Sequence, residues 1–226
     1  MSGGNAKTTL VIVEGKGDRD FLEFLYREWF GKDKNIEFRA CGGKYRMKKA
    51  FKKREGENKL EPVLQGNILD REGMTLKIIF DADNDLEKSK ENIRKQLEEL
   101  KVDPRKTEIF LLPNDEDKGN LETLIENVAT IKEVIGCFKI YRECIESIKE
   151  SDRYQDKVTI QSPGSKEMIY AYFLSLSCIE KPEDKTSCKE GILGGKTYLH
   201  NKDIIDTESD YLKPLKTFLN PDSINQ

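Results

Sequence analysis

Acidic residues placed directly after apolar runs are the strongest chemical pattern in this chain. Glu14 closes the run Thr8–Val13 (TTLVIV), and Asp18 follows it in the next loop. Asp81 and Asp83 close Leu76–Phe80 (LKIIF), and Asp85 continues the same spacing. Side chains at i and i+2 leave an extended strand on one side, so Asp81 and Asp83 are expected to face together if the strand geometry persists. In a parallel α/β sheet the carboxyl ends of the strands share one edge, where ligands bind. That edge would bring Glu14 to the 81–85 segment. Carboxylates gathered in this way raise one another's pKa unless a cation sits among them. Hard oxygen ligands on an open edge suit Mg²⁺ or Mn²⁺. A divalent ion there activates water and neutralises charge on a phosphodiester in transit. Each piece also has a plainer reading, with Glu14 a solvated loop acid and residues 81–85 turn-forming and helix-capping acids.

Other chemistries are tested by spacing. An EF-hand needs Gly and Glu where Leu86 and Asn92 stand, so it fails. A phosphotransferase with an aspartyl nucleophile would use Asp81 as nucleophile and Asp83 as acid; this small-molecule phosphatase stays open as an alternative, although Asp81-Ala82-Asp83-Asn84-Asp85 departs from DxDGT. A Walker A loop fails at Ala6-Lys7-Thr8, which lacks the preceding glycine, and at Gly195-Lys196-Thr197, where Glu190 occupies the first glycine position. The single histidine, His200, and the absence of a GxSxG elbow leave little for imidazole-based hydrolysis. The five cysteines (Cys41, Cys137, Cys144, Cys178, Cys188) form no CxxC pair, which argues against a zinc knuckle and for free thiols in a reducing cytoplasm.

These residues need a scaffold, and the chain supplies alternating strands and helices. Its 226 residues carry a net charge of −3, with 36% charged and 36% hydrophobic residues, so no global basicity marks a nucleic-acid binder. Apolar runs are too short for a signal peptide or a membrane span. Thr8–Val13, Ile36–Ala40, Leu76–Phe80 and Glu108–Leu112 read as strands. The first two flank a helix with Phe21, Leu22, Leu25 and Trp29 on one face, N-capped by Asp18 and stopped by Gly31. Leu86, Ile93, Leu97 and Leu100 mark a second helix, and Leu121, Leu124, Ile125 and Val128 a third. The fold class expected is therefore α/β, a compact Rossmann-like and mostly parallel sheet over residues 1–130. Residues 131–226 are expected to be a helical elaboration packed on it, with helices near 131–149, 165–177 and 211–219 and a loop over 181–195.

The stretch Lys44, Arg46, Lys48, Lys49, Lys52, Lys53 and Arg54 contains no acid. It reads either as a solvated face or as a phosphate-tracking strip beside the acidic site, with Lys16 in the first loop joining it and Tyr45 or Phe51 available for stacking.

Val11-Ile12-Val13-Glu14-Gly15-Lys16-Gly17-Asp18, followed by Ile78-Ile79-Phe80-Asp81-Ala82-Asp83, resembles the Toprim domain of topoisomerases, bacterial primases and overcoming-lysogenization-defect (OLD) nucleases. The Glu14/Asp18 spacing is closer to the OLD-type branch. Leu112-Pro113-Asn114 with Gly119-Asn120-Leu121-Glu122 is similar to small stand-alone Toprim-like proteins of unknown function. The resemblance covers roughly residues 8 to 130. It implies metal binding by Glu14, Asp18, Asp81 and Asp83, with Glu14 alternatively a general acid or base and Asp85 and Glu122 candidates for a second ion. Lys196, after Gly194-Gly195, reads either as a loop lysine or, as the resemblance implies from the C-terminal lysine of some OLD nucleases, as a transition-state cation. The implied activity is Mg²⁺- or Mn²⁺-dependent cleavage of DNA or RNA. No ATPase is fused as in OLD proteins, which leaves open a separate ATPase partner, as well as a homo-oligomer. The alternative is a non-catalytic Toprim-like module that binds nucleic acid or protein.

Overall fold

The computed structural model describes residues 8–31, 35–50, 74–102, 107–150, 159–176 and 204–220. Within them the four apolar runs form one sheet. Strand β1 spans Thr8–Val13, β2 Ile36–Ala40, β3 Met74–Asp81 and β4 Thr107–Leu112. Their order is β2-β1-β3-β4, and every pairing is parallel. Parallel strands are covered on both faces and so read as continuous apolar runs rather than alternating ones. Leu10 to Val13 fit that description, all four being buried.

Helix α1 (Lys16–Phe30) links β1 to β2, and α2 (Leu86–Glu99) links β3 to β4. Since β1 and β3 are neighbours, the two connections run outward in opposite directions. The gap between the carboxyl ends of β1 and β3 is thus the switch point, where open α/β sheets bind ligands. Val13 pairs with both Ala40 and Ile79, which brings the ends of β1, β2 and β3 close to one level.

One face of the sheet presents Leu10, Ile12, Leu76, Ile78 and Phe80 to Ile93 and Leu97 of α2, and the same core takes in Met47 and Ala50 from the turn after β2. The alternate residues Val11, Val13, Ile79, Phe110 and Leu112 are buried as well. On their side α1 buries Phe21, Leu22, Phe24, Leu25 and Tyr26, with Tyr26 set edge-on to Phe38 of β2. Each fully buried leucine or isoleucine here contributes roughly 1.5–3 kcal/mol of transfer free energy.

Lys77, in the middle of β3, is an exception to the apolar pattern at 1% exposure. Its Nζ donates to the Phe218 carbonyl at 2.5 Å, stands 3.3 Å from the Glu108 carboxylate and lies 5.0 Å from the centre of the Phe218 ring. Phe218 also packs on Phe110. It belongs to the last helix, α6 (Lys213–Leu219), which buries Leu215 and Leu219. A charged group this deep must be paired and hydrogen-bonded, and here its partners are on that helix and β4.

The chain divides into two compact units, one reaching to Leu121 and resuming at Asp210, the other covering Glu122–Ser209. The boundary expected at residue 130 can be set beside a division between Leu121 and Glu122, with the 210–220 segment in the first unit. The second unit holds most of α3 (Leu121–Val128), α4 (Lys132–Lys149) and α5 (Ser165–Ser175). Ala129 bridges Ile205, and the Tyr172 hydroxyl donates to the Ile204 carbonyl at 2.8 Å. Among the described residues no helix is long and apolar enough to cross a membrane. The loop expected over 181–195, along with Phe51, Arg54, Cys178, Cys188 and His200, lies outside the described residues.

Candidate functional site

Glu14 leaves the end of β1 and crosses to its neighbour, where its Oε1 accepts the Asp81 backbone N–H at 3.1 Å. The expected meeting of these two positions at the switch point is therefore observed. Its own backbone is held from the other side. The Glu14 carbonyl accepts from the N–H groups of Gly42 and Gly43 at 2.7 and 2.9 Å. Those glycines have φ of 80° and 134°, conformations that side chains disfavour. The pair of glycines that follows Cys41 at the end of β2 was the available signal for this support, and sequence reasoning missed it.

Asp18 is not the N-cap of α1. The helix starts earlier, with Gly15 as N-cap, and Asp18 sits one turn in with its Oδ2 accepting the Gly15 N–H at 2.7 Å. An acid at the third helical position reaches back to the cap in this way, which accounts for both its spacing and its orientation. Asp81 accepts the Leu121 N–H on Oδ1 at 3.1 Å.

Asp83 departs from the expected same-side arrangement. Regular strand geometry ends at Asp81, and Asp83 adopts φ 53° while exchanging backbone hydrogen bonds with Gly119 at 2.7 and 2.8 Å. Aspartate is among the few residues that tolerate this left-handed conformation. Its carboxylate then pairs with Lys44 at 2.5 Å, and Lys44 Nζ lies 2.9 Å from Ser89 Oγ. Ser89, buried on α2, donates in turn to the Ala82 carbonyl at 2.9 Å. Lys44 thus joins the turn after β2 to the turn after β3. Asp85 is the N-cap of α2, accepting the Lys88 N–H at 3.0 Å, as its plainer reading allowed.

Burial pushes the Glu14 carboxyl up from 4.5 to about 7, with Asp18 and Asp83 adding repulsion and the Asp81 N–H and Lys44 pulling the other way. The Cys41 thiol rises to about 11 through burial first, with Glu14 and Asp18 again contributing. Burial is thus the main cause of both shifts, and the neighbouring carboxylates add to it. Even so, among the described residues no three His, Cys, Asp or Glu side chains stand together as a metal-holding group. Instead of the ready-made cage of three or four carboxylates expected from sequence, the described residues show Glu14, Asp18, Asp81 and Asp83 each engaging a donor within the chain.

The other expected residues are scattered. Lys16 is exposed in the first turn of α1. Arg46, Lys48 and Lys49 are exposed around a short 3₁₀ turn whose Met47 is buried. Gln96 of α2 anchors that turn, accepting from the Met47 N–H at 3.1 Å and donating to the Lys44 carbonyl at 2.8 Å. Ser89 and Gln96 are positioning residues that sequence reasoning missed, and a buried serine on a charged helix was their only hint. Glu122 falls in the second unit, in the first turn of α3. Lys52, Lys53 and Lys196 lie outside the described residues.

The fold and the site together define a parallel α/β protein with an acidic switch point braced by a lysine. The chain belongs to the family DUF3226, described as a protein of unknown function, which it matches over residues 8–221. No curated protein and no solved structure matches it.

Proposed function

We propose that this chain is a Toprim-like nuclease that uses Mg²⁺ or Mn²⁺ to hydrolyse phosphodiester bonds in DNA or RNA. The observation that carries the reading is the Glu14 carboxylate on the Asp81 backbone at the β1/β3 switch point. A hard divalent cation fits this donor set. Mg²⁺ keeps several waters and is bound through one or two carboxylates plus substrate phosphates rather than by an all-protein cage, so two carboxylates suffice to hold it. Glu14 and Asp81 would hold the ion, with Asp18 and Asp83 adding negative potential, and the ion supplies an activated water and charge neutralisation.

The chain's own groups complete the chemistry. A carboxyl with a pKa of about 7 is suited to hold or release a proton at neutral pH, so Glu14 is alternatively a general acid or base, and Asp81 would then hold the ion. Lys44, fixed by Ser89 and Asp83, brings a positive charge to the same edge. No Walker A loop occurs in the sequence, and the reading extends to a separate ATPase partner. The cysteine pattern supports a cytoplasmic location.

The test is Asp81→Asn, whose amide oxygen can still accept the Leu121 N–H. Cleavage in Mn²⁺ is expected to fall about a hundredfold or more, the scale on which losing one charge-stabilising group acts. A variant that cuts as fast as the parent overturns the reading. The Lys44–Asp83 ion pair, in which a cation of the chain already neutralises one of the expected metal-binding carboxylates, favours, as second reading, a module that binds nucleic acid without cutting it; salt-dependent binding that persists in EDTA with no cleavage of any strand would establish it.

A further inference from the structure

Beside Asp83, and within the first unit, lies an open cleft of about 610 Å³, within the range of small-molecule sites. Its lysines, Lys44, Lys88 and Lys95, are matched by Asp83, Asp85 and Glu91. A lining with balanced charge does not track a polyanion along its backbone, which takes a basic strip. It suits a group that offers hydrogen bonds and a flat apolar face next to one or two phosphates.

Two further features describe that group. Tyr45, on the cleft wall, is 76% exposed. Its backbone is nevertheless fixed, because the Gln96 amide bonds the Lys44 carbonyl on one side and the Met47 N–H on the other. An aromatic ring presented to solvent on a braced turn is a stacking platform. Asn92, on the opposite wall formed by α2, buries an amide nitrogen that has no hydrogen-bond partner among the described residues. Buried donors are ordinarily satisfied, and an acceptor on a bound ligand would satisfy this one.

Resting on the nuclease reading above, we propose that this cleft is a base-binding subsite for single-stranded nucleic acid. An unpaired base stacks on Tyr45, Asn92 hydrogen-bonds its edge, and Lys88 and Lys95 hold flanking phosphates. Asp83 belongs both to the cleft and to the acidic edge, so a base seated here brings the neighbouring phosphodiester toward Glu14 and Asp81. A duplex keeps its bases stacked and cannot fill the cleft without unpairing.

The experiment is fluorescence anisotropy of the full chain in EDTA, with a labelled single-stranded oligonucleotide and the matching duplex. The single strand is expected to bind at least about tenfold more tightly. Tyr45→Ala should weaken it by about 5- to 100-fold, the range for loss of one stacked base, while Tyr45→Phe keeps wild-type affinity. Duplex binding as tight as single-strand binding, or an unchanged Tyr45→Ala protein, overturns the subsite. A wild type that cleaves, with Tyr45→Ala binding and cutting equally well, removes the subsite and leaves the nuclease. Tyr45-dependent binding of the single strand by a wild type that cuts no strand keeps the subsite and removes the nuclease.

Discussion

Replacing Glu14 with glutamine should stabilise the protein, increasingly as the pH rises from about 4.5 through about 7. The folded chain holds this carboxyl at about 7 against an ordinary 4.5, chiefly through burial. Below the ordinary value the side chain is neutral in both folded and unfolded states and contributes nothing to the pH dependence. As pH rises the unfolded chain releases the proton first, so stability is lost progressively until the folded pKa is passed. At 1.36 kcal/mol per unit the full loss is about 3 kcal/mol, and partial solvent access brings it nearer about 2 kcal/mol. Glutamine keeps the oxygen that accepts the Asp81 N–H and carries no charge. Urea unfolding followed by Trp29, the single tryptophan and part of α1, reads the unit concerned. Wild type and Glu14→Gln should match near about pH 4.5 and separate by about 2–3 kcal/mol above about pH 8. Mg²⁺ at the higher pH should stabilise wild type more than the variant, because a ligand that binds the native state raises its stability. A difference that is the same at both pH values, or a variant less stable at high pH, would refute the assignment of Glu14 as an acid raised by burial.

Lys77→Met should lower stability by about 1–3 kcal/mol, because the Phe218 carbonyl loses its donor where β3 meets α6; the urea midpoint measures it, and an unchanged midpoint would mean the bond is dispensable. Ser89→Ala removes the bond from Lys44 and should loosen the cation that holds the Glu14 pKa down. The Glu14 titration, followed by carboxyl NMR, is then expected to move upward, and a downward movement would show that Lys44 acts elsewhere.

Much of this arrangement was legible before any coordinates. The runs TTLVIV and LKIIF identify buried parallel strands because nothing polar interrupts the first and only Lys77 the second. An acid after each suffices to place Glu14 and Asp81 at one edge. The rest depends on partners distant in sequence. Asp83 leaves strand geometry where its backbone pairs with Gly119, and nothing near Asp83 signals that. Lys44 reads as one more cation in a basic run, whereas its ammonium is held by Asp83, in the turn after β3, and by Ser89 of α2. Asp18 is ambiguous by nature, since an acid near a helix start serves equally as cap or as the third residue reaching back. Lys77 was hidden in a run that is otherwise continuously apolar, and its acceptor lies in the last described helix.

That last link has a consequence for how the protein is made. The sheet's own unit includes the segment from Asp210, so its β3 lysine has no Phe218 carbonyl to meet until everything from Glu122 to Ser209 has been synthesised. Domains otherwise tend to fold as they emerge from the ribosome, first part first. Here the later-made helical unit can finish before the earlier-made sheet, which must wait with one face incompletely covered and is the portion most exposed to misassociation during translation.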